Sequence, residues 1–289
     1  MKYLKDHNYK VISIDKLVQY LKTKTDIPDK TVVITIDDGY KSTMKAFKIL
    51  KKYNYPFTLF LYMEGVARFP AYLTKEQLDE LKKYPKITFG NHSYKHLRFA
   101  KYPKDGNLKK YEQWIKEDTI KSEKRFKKLI GYKPKYYAFP YGEYNQIYIK
   151  VLKDLGYEAL FTQDPCNVGS FINRYVVPRQ PVVGHWGTLK HFENILKMEP
   201  LHLIYFEPSI GFLENNPPII KYKLAEEEKI VRCETYVSEL GWLRPKKIND
   251  LYINDNLPKL KRWKNRIGVK CWKEDKKIGT YFWMIINKN

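Results

Sequence analysis

Between residues 14 and 197, short β-branched runs alternate with amphipathic stretches, and this alternation restricts the fold more than any other property of the chain. IDKLVQYLK, STMKAFKILKKY, TKEQLDELKKY, LKKYEQWIKEDTIKSEKRFKKLIG, YNQIYIKVLKDLG and TLKHFENILK repeat their apolar residues at the period of a helix with one buried face. TVVITI, FTLFLY, KITFG, YYAF and YEALFT lie between them, short and rich in β-branched and aromatic residues, as strands are. Strands that alternate with helices form a parallel sheet covered by those helices, either an open α/β sheet or a βα barrel. Both architectures assemble their sites at the carboxyl ends of the strands.

After MEP at 198 to 200 the texture changes to extended, proline-containing segments and short strand-like runs that end in GTYFWMII, with turn signals at EPSIG, ENNPP and INDNLP. The chain is therefore expected to divide into an α/β domain over 1–198 and a small all-β, sandwich-like module over 199–289. With 54 Lys and Arg against 32 Asp and Glu, the formal charge is +22, which would suit a polyanion. The lysines are scattered along helical stretches rather than gathered in a block, so a solvated cationic surface is expected instead of a nucleic-acid face. No run approaches the roughly 20 apolar residues of a membrane span, and MKYLKDHNYKVISIDKL carries charges where a signal peptide has its apolar stretch. Three cysteines, Cys166, Cys233 and Cys271, are too few for a disulfide scaffold and lack structural-zinc spacing.

Three strand ends carry polar groups able to do chemistry. TVVITIDDG closes with Asp37, Asp38 and Gly39, KITFGNHSYKH continues into His92 and His96, and YYAFPYG ends in Pro140, Tyr141 and Gly142. Asp and Gly after a strand often mean only a turn, and an isolated pair of histidines four apart is often incidental. Taken together they offer two imidazoles and one carboxylate with a position left for water, the ligand set of a catalytic zinc. If 91–96 forms a helical turn, both imidazoles face the same way. A second carboxylate beside the ligand would then lie close enough to take a proton from that water.

TIDDG, HSYKH and PYG, in this order and at these spacings, resemble the motifs of the polysaccharide deacetylases with a NodB-homology domain, carbohydrate esterase family four. LKDHNYKVISIDKLVQYL is similar to the stretch before the first motif in the branch acting on poly-N-acetylglucosamine and related exopolysaccharides. The resemblance implies a distorted (β/α) barrel and hydrolysis of N-acetyl groups from an N-acetylated glycan, an exopolysaccharide or cell-wall polymer, with release of acetate. It implies one divalent metal, zinc with cobalt or nickel as alternatives, held by Asp38, His92 and His96, with Asp37 as the general base. A backbone N–H near Tyr141 would help to hold the oxyanion. The arginine that many relatives place just before PYG is absent from YYAFPYG, and Arg179 in VVPRQPV is the candidate substitute for orienting the base. His185 in VVGHWGTLKHF is the candidate acid; His191 is a poorer choice because it should fall within a helix. In the exopolysaccharide branch a Tyr-His pair near the domain start supplies the acid, so the first strand and that pair are expected upstream of residue 1.

Tyr40, Phe139, Tyr141 and Trp186 could together offer a platform for sugar rings, with core packing as the default for any one of them. The end of the chain resembles the last strands of a small β-sandwich found after some bacterial NodB domains. There Cys233 and Cys271 would lie on neighbouring strands, either disulfide-bonded or as core thiols. The family implies a periplasmic or extracellular envelope location; the sequence leaves a cytoplasmic one open. Two other readings stand beside the enzyme: a glycan-binding protein that keeps the fold without turnover, and a nucleic-acid binder resting on charge alone. The family also accommodates cyclic imides and small acetylated amines. Oligomeric state is not legible.

Overall fold

A computed structural model describes residues 1–225, 227–275 and 277–288 of the chain. Its centre is a five-stranded parallel sheet whose spatial order follows the chain, from β3 (Thr35–Ile36) through β4 (Phe57–Leu61), β5 (Ile87–Asn91) and β6 (Tyr136–Ala138) to β7 (Ala159–Phe161). The sheet curls into a half-barrel. The strand expected over 31–36 is divided in two. Thr31–Val32 (β2) leaves the sheet to pair with Lys10–Val11 (β1), and only Thr35–Ile36 pairs with β4.

Both faces of the half-barrel are covered, which explains the near-continuous apolar character of its strands. Along β4, all buried, Leu59 and Leu61 point into a core shared with Phe47, Leu50, Leu78, Leu81 and Phe126, whereas Phe60 meets Leu17, Val18 and Leu21 on the other side. Those partners come from four helices, α2 (Ile14–Thr23), α3 (Thr43–Lys52), α4 (Lys75–Lys82) and α5 (Leu108–Ile130); α1 (Lys2–Asp6) precedes them. Side-chain caps start α2, α4 and α5, whereas Ser42 before α3 makes no such bond. Ser13 accepts from the Lys16 N–H, Thr74 and Gln77 form a reciprocal capping box, and Asn107 accepts from the Lys110 N–H. Asn145 and Thr188 do the same for α6 (Gln146–Asp154) and α7 (Leu189–Leu196).

After α7 the chain forms two further sheets. One has six strands: β10 (Gly211–Phe212), β17 (Ile278–Ile286), β16 (Lys264–Lys273), β12 (Ile230–Val237) and β13 (Gly241–Leu243) in spatial order, with β8 (Glu199–Pro200) also on β17. The other has four: β14 (Lys246–Ile248), β15 (Leu251–Asn254), β11 (Ile220–Leu224) and β9 (Leu203–Glu207). Most pairs are antiparallel, and a core of Leu203, Ile220, Tyr222, Val237, Ile267, Val269 and Trp283 fills the space between the two sheets. Cys233 and Cys271 sit opposite each other on β12 and β16 and are disulfide-bonded.

The apolar run FWMII is explained by burial on both faces of β17. Trp283 and Ile285 enter the core between the two C-terminal sheets, while Met284 and Ile286 join Tyr137, Phe139, Tyr144 and Tyr148 of the α/β part. Polar contacts follow the same seam. Arg266 of β16 reaches Asp164 at 2.8 Å, Asp164 accepts from the Tyr144 hydroxyl at 2.6 Å, and Lys264 pairs with Glu143.

Candidate active site

The carboxyl ends of β3, β5 and β6 bring the three motifs together. Asp37 follows β3 directly, but Asp38 takes a left-handed backbone at φ 72°, which Asp tolerates better than most residues, so the two adjacent carboxylates diverge. Gly39 then has φ 80°, and a Cβ there would come within 2.9 Å of Leu61 and Val66 side-chain carbons, so the turn admits only glycine.

The histidines are not on a helix, contrary to the expectation from their spacing. Residues 91–96 leave β5 as a loop in which Ser93 and His96 both have positive φ, 66° and 52°. The cause is local hydrogen bonding that competes with a helical turn: Ser93 Oγ accepts the His96 N–H at 2.8 Å. From α5, Asp118 accepts the N–H groups of Tyr94 and Lys95 at 2.9 and 3.1 Å. Burial pushes the Asp118 carboxyl up, against these two backbone bonds that lower it.

The loop nevertheless presents both imidazoles to Asp38. His92 Nε2 lies 3.5 Å and His96 Nε2 3.2 Å from Asp38 Oδ1, and the two nitrogens are 3.2 Å apart. His92 is buried and directs Nδ1 at the Ala138 carbonyl at 2.7 Å. A carbonyl only accepts, so Nδ1 carries the proton and Nε2 presents its lone pair. Burial also holds the His92 imidazole below its ordinary pKa, against the raising effect of Asp37. Asp38, His92 and His96 thus offer three ligand atoms all within 4.8 Å of one another, and two nitrogens with one carboxylate oxygen suit a divalent metal.

Asp37 faces the same cluster, its Oδ2 4.0 Å from His92 Nε2, and is held from behind. Arg179 donates Nη1 to Oδ1 at 2.7 Å and Nη2 to Oδ2 at 2.8 Å, and Gln163 Nε2 adds a bond to Oδ2 at 3.3 Å. Arg179 is itself fixed by Nε to the Thr162 carbonyl at 2.7 Å and Nη1 to Thr35 Oγ1 at 3.1 Å. Burial pushes the Asp37 carboxyl up, but the charge and bonds of Arg179, helped by His92 and Gln163, outweigh it and hold the group at about 2.

Tyr141, half-exposed with φ 59°, lays its ring edge-on to His96, centroids 4.6 Å apart, and the Arg98 guanidinium lies 4.1 Å over it. Gly142 at φ 63° lets the backbone pass Gln163, whose backbone nitrogen would lie 2.7 Å from a Cβ there. Of the other expected residues, Tyr40 is exposed, whereas Phe139 is fully buried against Tyr144 and Tyr148 and belongs to the core. His185 occupies an exposed turn over Gly184–Trp186 with its ring on Trp186 at 4.9 Å; among the described residues it has no contact with the cluster. His191 lies within α7. Sequence reasoning passed over Gln163, Asp118, Arg98 and Glu143. Arg98 and Glu143 stand beside motif residues, which was a usable signal, but Gln163 and Asp118 carry none.

Residues 24–160 match the polysaccharide deacetylase family. That span resembles a polysaccharide deacetylase domain. The chain is 30% identical over 184 residues to a poly-beta-1,6-N-acetyl-D-glucosamine N-deacetylase of Staphylococcus aureus, covering 62% of this chain and 63% of that protein's length. Among solved structures, IcaB from Ammonifex degensii matches with TM-score 0.56 at 25% identity, over 64% of this chain and 82% of that one. The BpsB deacetylase domain from Bordetella bronchiseptica has the same fold at TM-score 0.56 and 18% identity, over 62% and 81%. The matched residues therefore include the half-barrel's strands almost entirely and all three strand-end motifs, while the sheets after α7 lie beyond them.

Proposed function

We propose that the chain is a metal-dependent N-deacetylase that hydrolyses N-acetyl groups on a glucosamine-containing glycan of the bacterial envelope. A β-1,6-linked poly-N-acetylglucosamine is the substrate that fits best with its relatives. The observation that carries the reading is one carboxylate, Asp37, locked by Arg179 beside three convergent metal-ligating groups. Asp38, His92 and His96 hold the metal; zinc suits their donor set, with cobalt or nickel as substitutes. Bound there, the metal supplies a Lewis acid that polarises the acetamide carbonyl and acidifies water. Asp37, ionised down to about pH 2, accepts the proton of the attacking water, and Arg179 and Gln163 keep its oxygens aimed. A backbone N–H near Tyr141, in its left-handed turn, would serve as the donor to the developing oxyanion. Collapse of the tetrahedral species breaks the C–N bond, the proton taken up by Asp37 passes to the leaving nitrogen, and acetate and a free amine result. His185 has no part in this reading, since its ring packs on Trp186.

The division into a deacetylase domain over 1–198 and an all-β module over 199–289 belongs to the same proposal. So does a periplasmic or extracellular location, where the Cys233–Cys271 bond persists. The test is amine release from acetylated glucosamine oligomers by metal-loaded protein. Turnover that disappears in Asp37→Asn while the metal stays bound is the expected result. Failure of the loaded protein to release amine from any acetylated glycan overturns the reading.

A further inference from the structure

The ring contacts around His96 continue away from the cluster. His96 packs edge-on with Tyr62, centroids 5.6 Å apart, and Tyr62 edge-on with Tyr72 at 5.3 Å. Tyr72 in turn lies stacked on Tyr40, with centroids 4.7 Å and planes 21° apart, and donates its hydroxyl to the Tyr40 oxygen at 3.4 Å. Tyr40 is two residues beyond Asp38. The pair is stiffened by the backbone: the Lys41 N–H bonds the Ala71 carbonyl at 3.0 Å and the Leu73 N–H bonds the Gly39 carbonyl at 2.9 Å. Phe69, 6.4 Å from Tyr72, extends the run.

Core packing anchors Tyr72, which lies partly buried against the core beneath it, but does not account for Tyr40 and Phe69, which are 43% and 39% exposed. A single exposed aromatic residue is ordinary, but a contiguous set leading out of a catalytic cluster marks a binding surface. The chemistry narrows the occupant. A pyranose ring presents an apolar C–H face flanked by hydroxyls, and a stacked tyrosine pair offers a flat apolar face bordered by two phenolic hydroxyls. Backbone bonds on both sides of the pair fix its offset from Asp38, so the ring it holds is at a set distance from the reacting one.

We propose that the Tyr40 and Tyr72 pair binds a second sugar of the same glycan strand, next to the residue whose acetamide reacts. The site then selects a chain of sugars over an isolated acetylated amine or a cyclic imide. This inference rests on the deacetylase reading. Its test is kcat and KM for amine release from β-1,6-linked N-acetylglucosamine oligomers of one to six residues, with metal content measured in parallel. In the wild type kcat/KM rises with length through a falling KM. In Tyr72→Ala the ratio of kcat/KM for long over short oligomers falls by about three- to tenfold, whereas Tyr72→Phe, which keeps the ring, preserves it. A Tyr72→Ala protein that loses activity equally at every length, or none at all, overturns the inference. So does an active wild type indifferent to length. A wild type inactive on every oligomer overturns the deacetylase reading, and the subsite with it.

Discussion

Arg179 grips Asp37 through two parallel hydrogen bonds, at 2.7 and 2.8 Å, while Asp38, the next residue, turns its carboxylate to His92 and His96. Two neighbouring acids are thereby given opposite surroundings, one a guanidinium and the other a pair of imidazoles. Removal of the guanidinium in Arg179→Met leaves burial, which raises the Asp37 pKa, with little to oppose it. The acid limb of the kcat/KM profile should move up by about 1 to 3 pH units. Unfolding measurements supply the linked check. A carboxyl at about 2 when folded against 3.8 otherwise contributes stability above pH 3.8, lost as pH falls towards 2, and Arg179→Met should remove that dependence.

The two aspartates separate cleanly by substitution. Asp37→Asn should retain metal and lose about 10² to 10⁴ in kcat. Asp38→Asn should instead weaken metal binding by about 100-fold, read by metal analysis after dialysis. Asn is the right replacement there because it tolerates the φ of 72°, which a β-branched residue would not.

Gly142→Ala places a methyl group 2.5 Å from Gln163 Cβ at a positive φ. The expected cost is about 1–3 kcal/mol of stability, measured by denaturant titration. Activity should fall further than stability accounts for, since Gln163 is displaced from Asp37.

Glu143 is 1% exposed on its side chain, whereas its partners Arg98 and Lys264 are 49% and 34% exposed. The cations can return to water and the acid cannot. The double substitution of Arg98 and Lys264 by Met should therefore cost about 3–5 kcal/mol, more than Glu143→Gln, which removes the buried charge itself. Equal losses would show that Glu143 is solvated after all.

The alternation of strands and helices made the half-barrel legible, because both of its faces are covered and its strands are largely apolar. The break at Val33 and Ile34 was not legible, since TVVITI reads as one strand and only the choice of neighbours divides it. The histidine pair could be placed at a strand end by spacing, yet its geometry depends on Ser93 and on Asp118, a residue of a distant helix. Gln163 reaches Asp37 across more than a hundred residues of chain, a contact no local pattern announces.

Strand β17 presents alternate side chains to two cores, Trp283 and Ile285 to one, Met284 and Ile286 to the other. It acts as a party wall: neither room can be emptied without opening the other. Heating should therefore melt the whole chain in one calorimetric transition. A chain ended at residue 198 would strip Phe212, Met284 and Ile286 from the cluster that holds Tyr137, Phe139 and Tyr148, however intact its catalytic motifs.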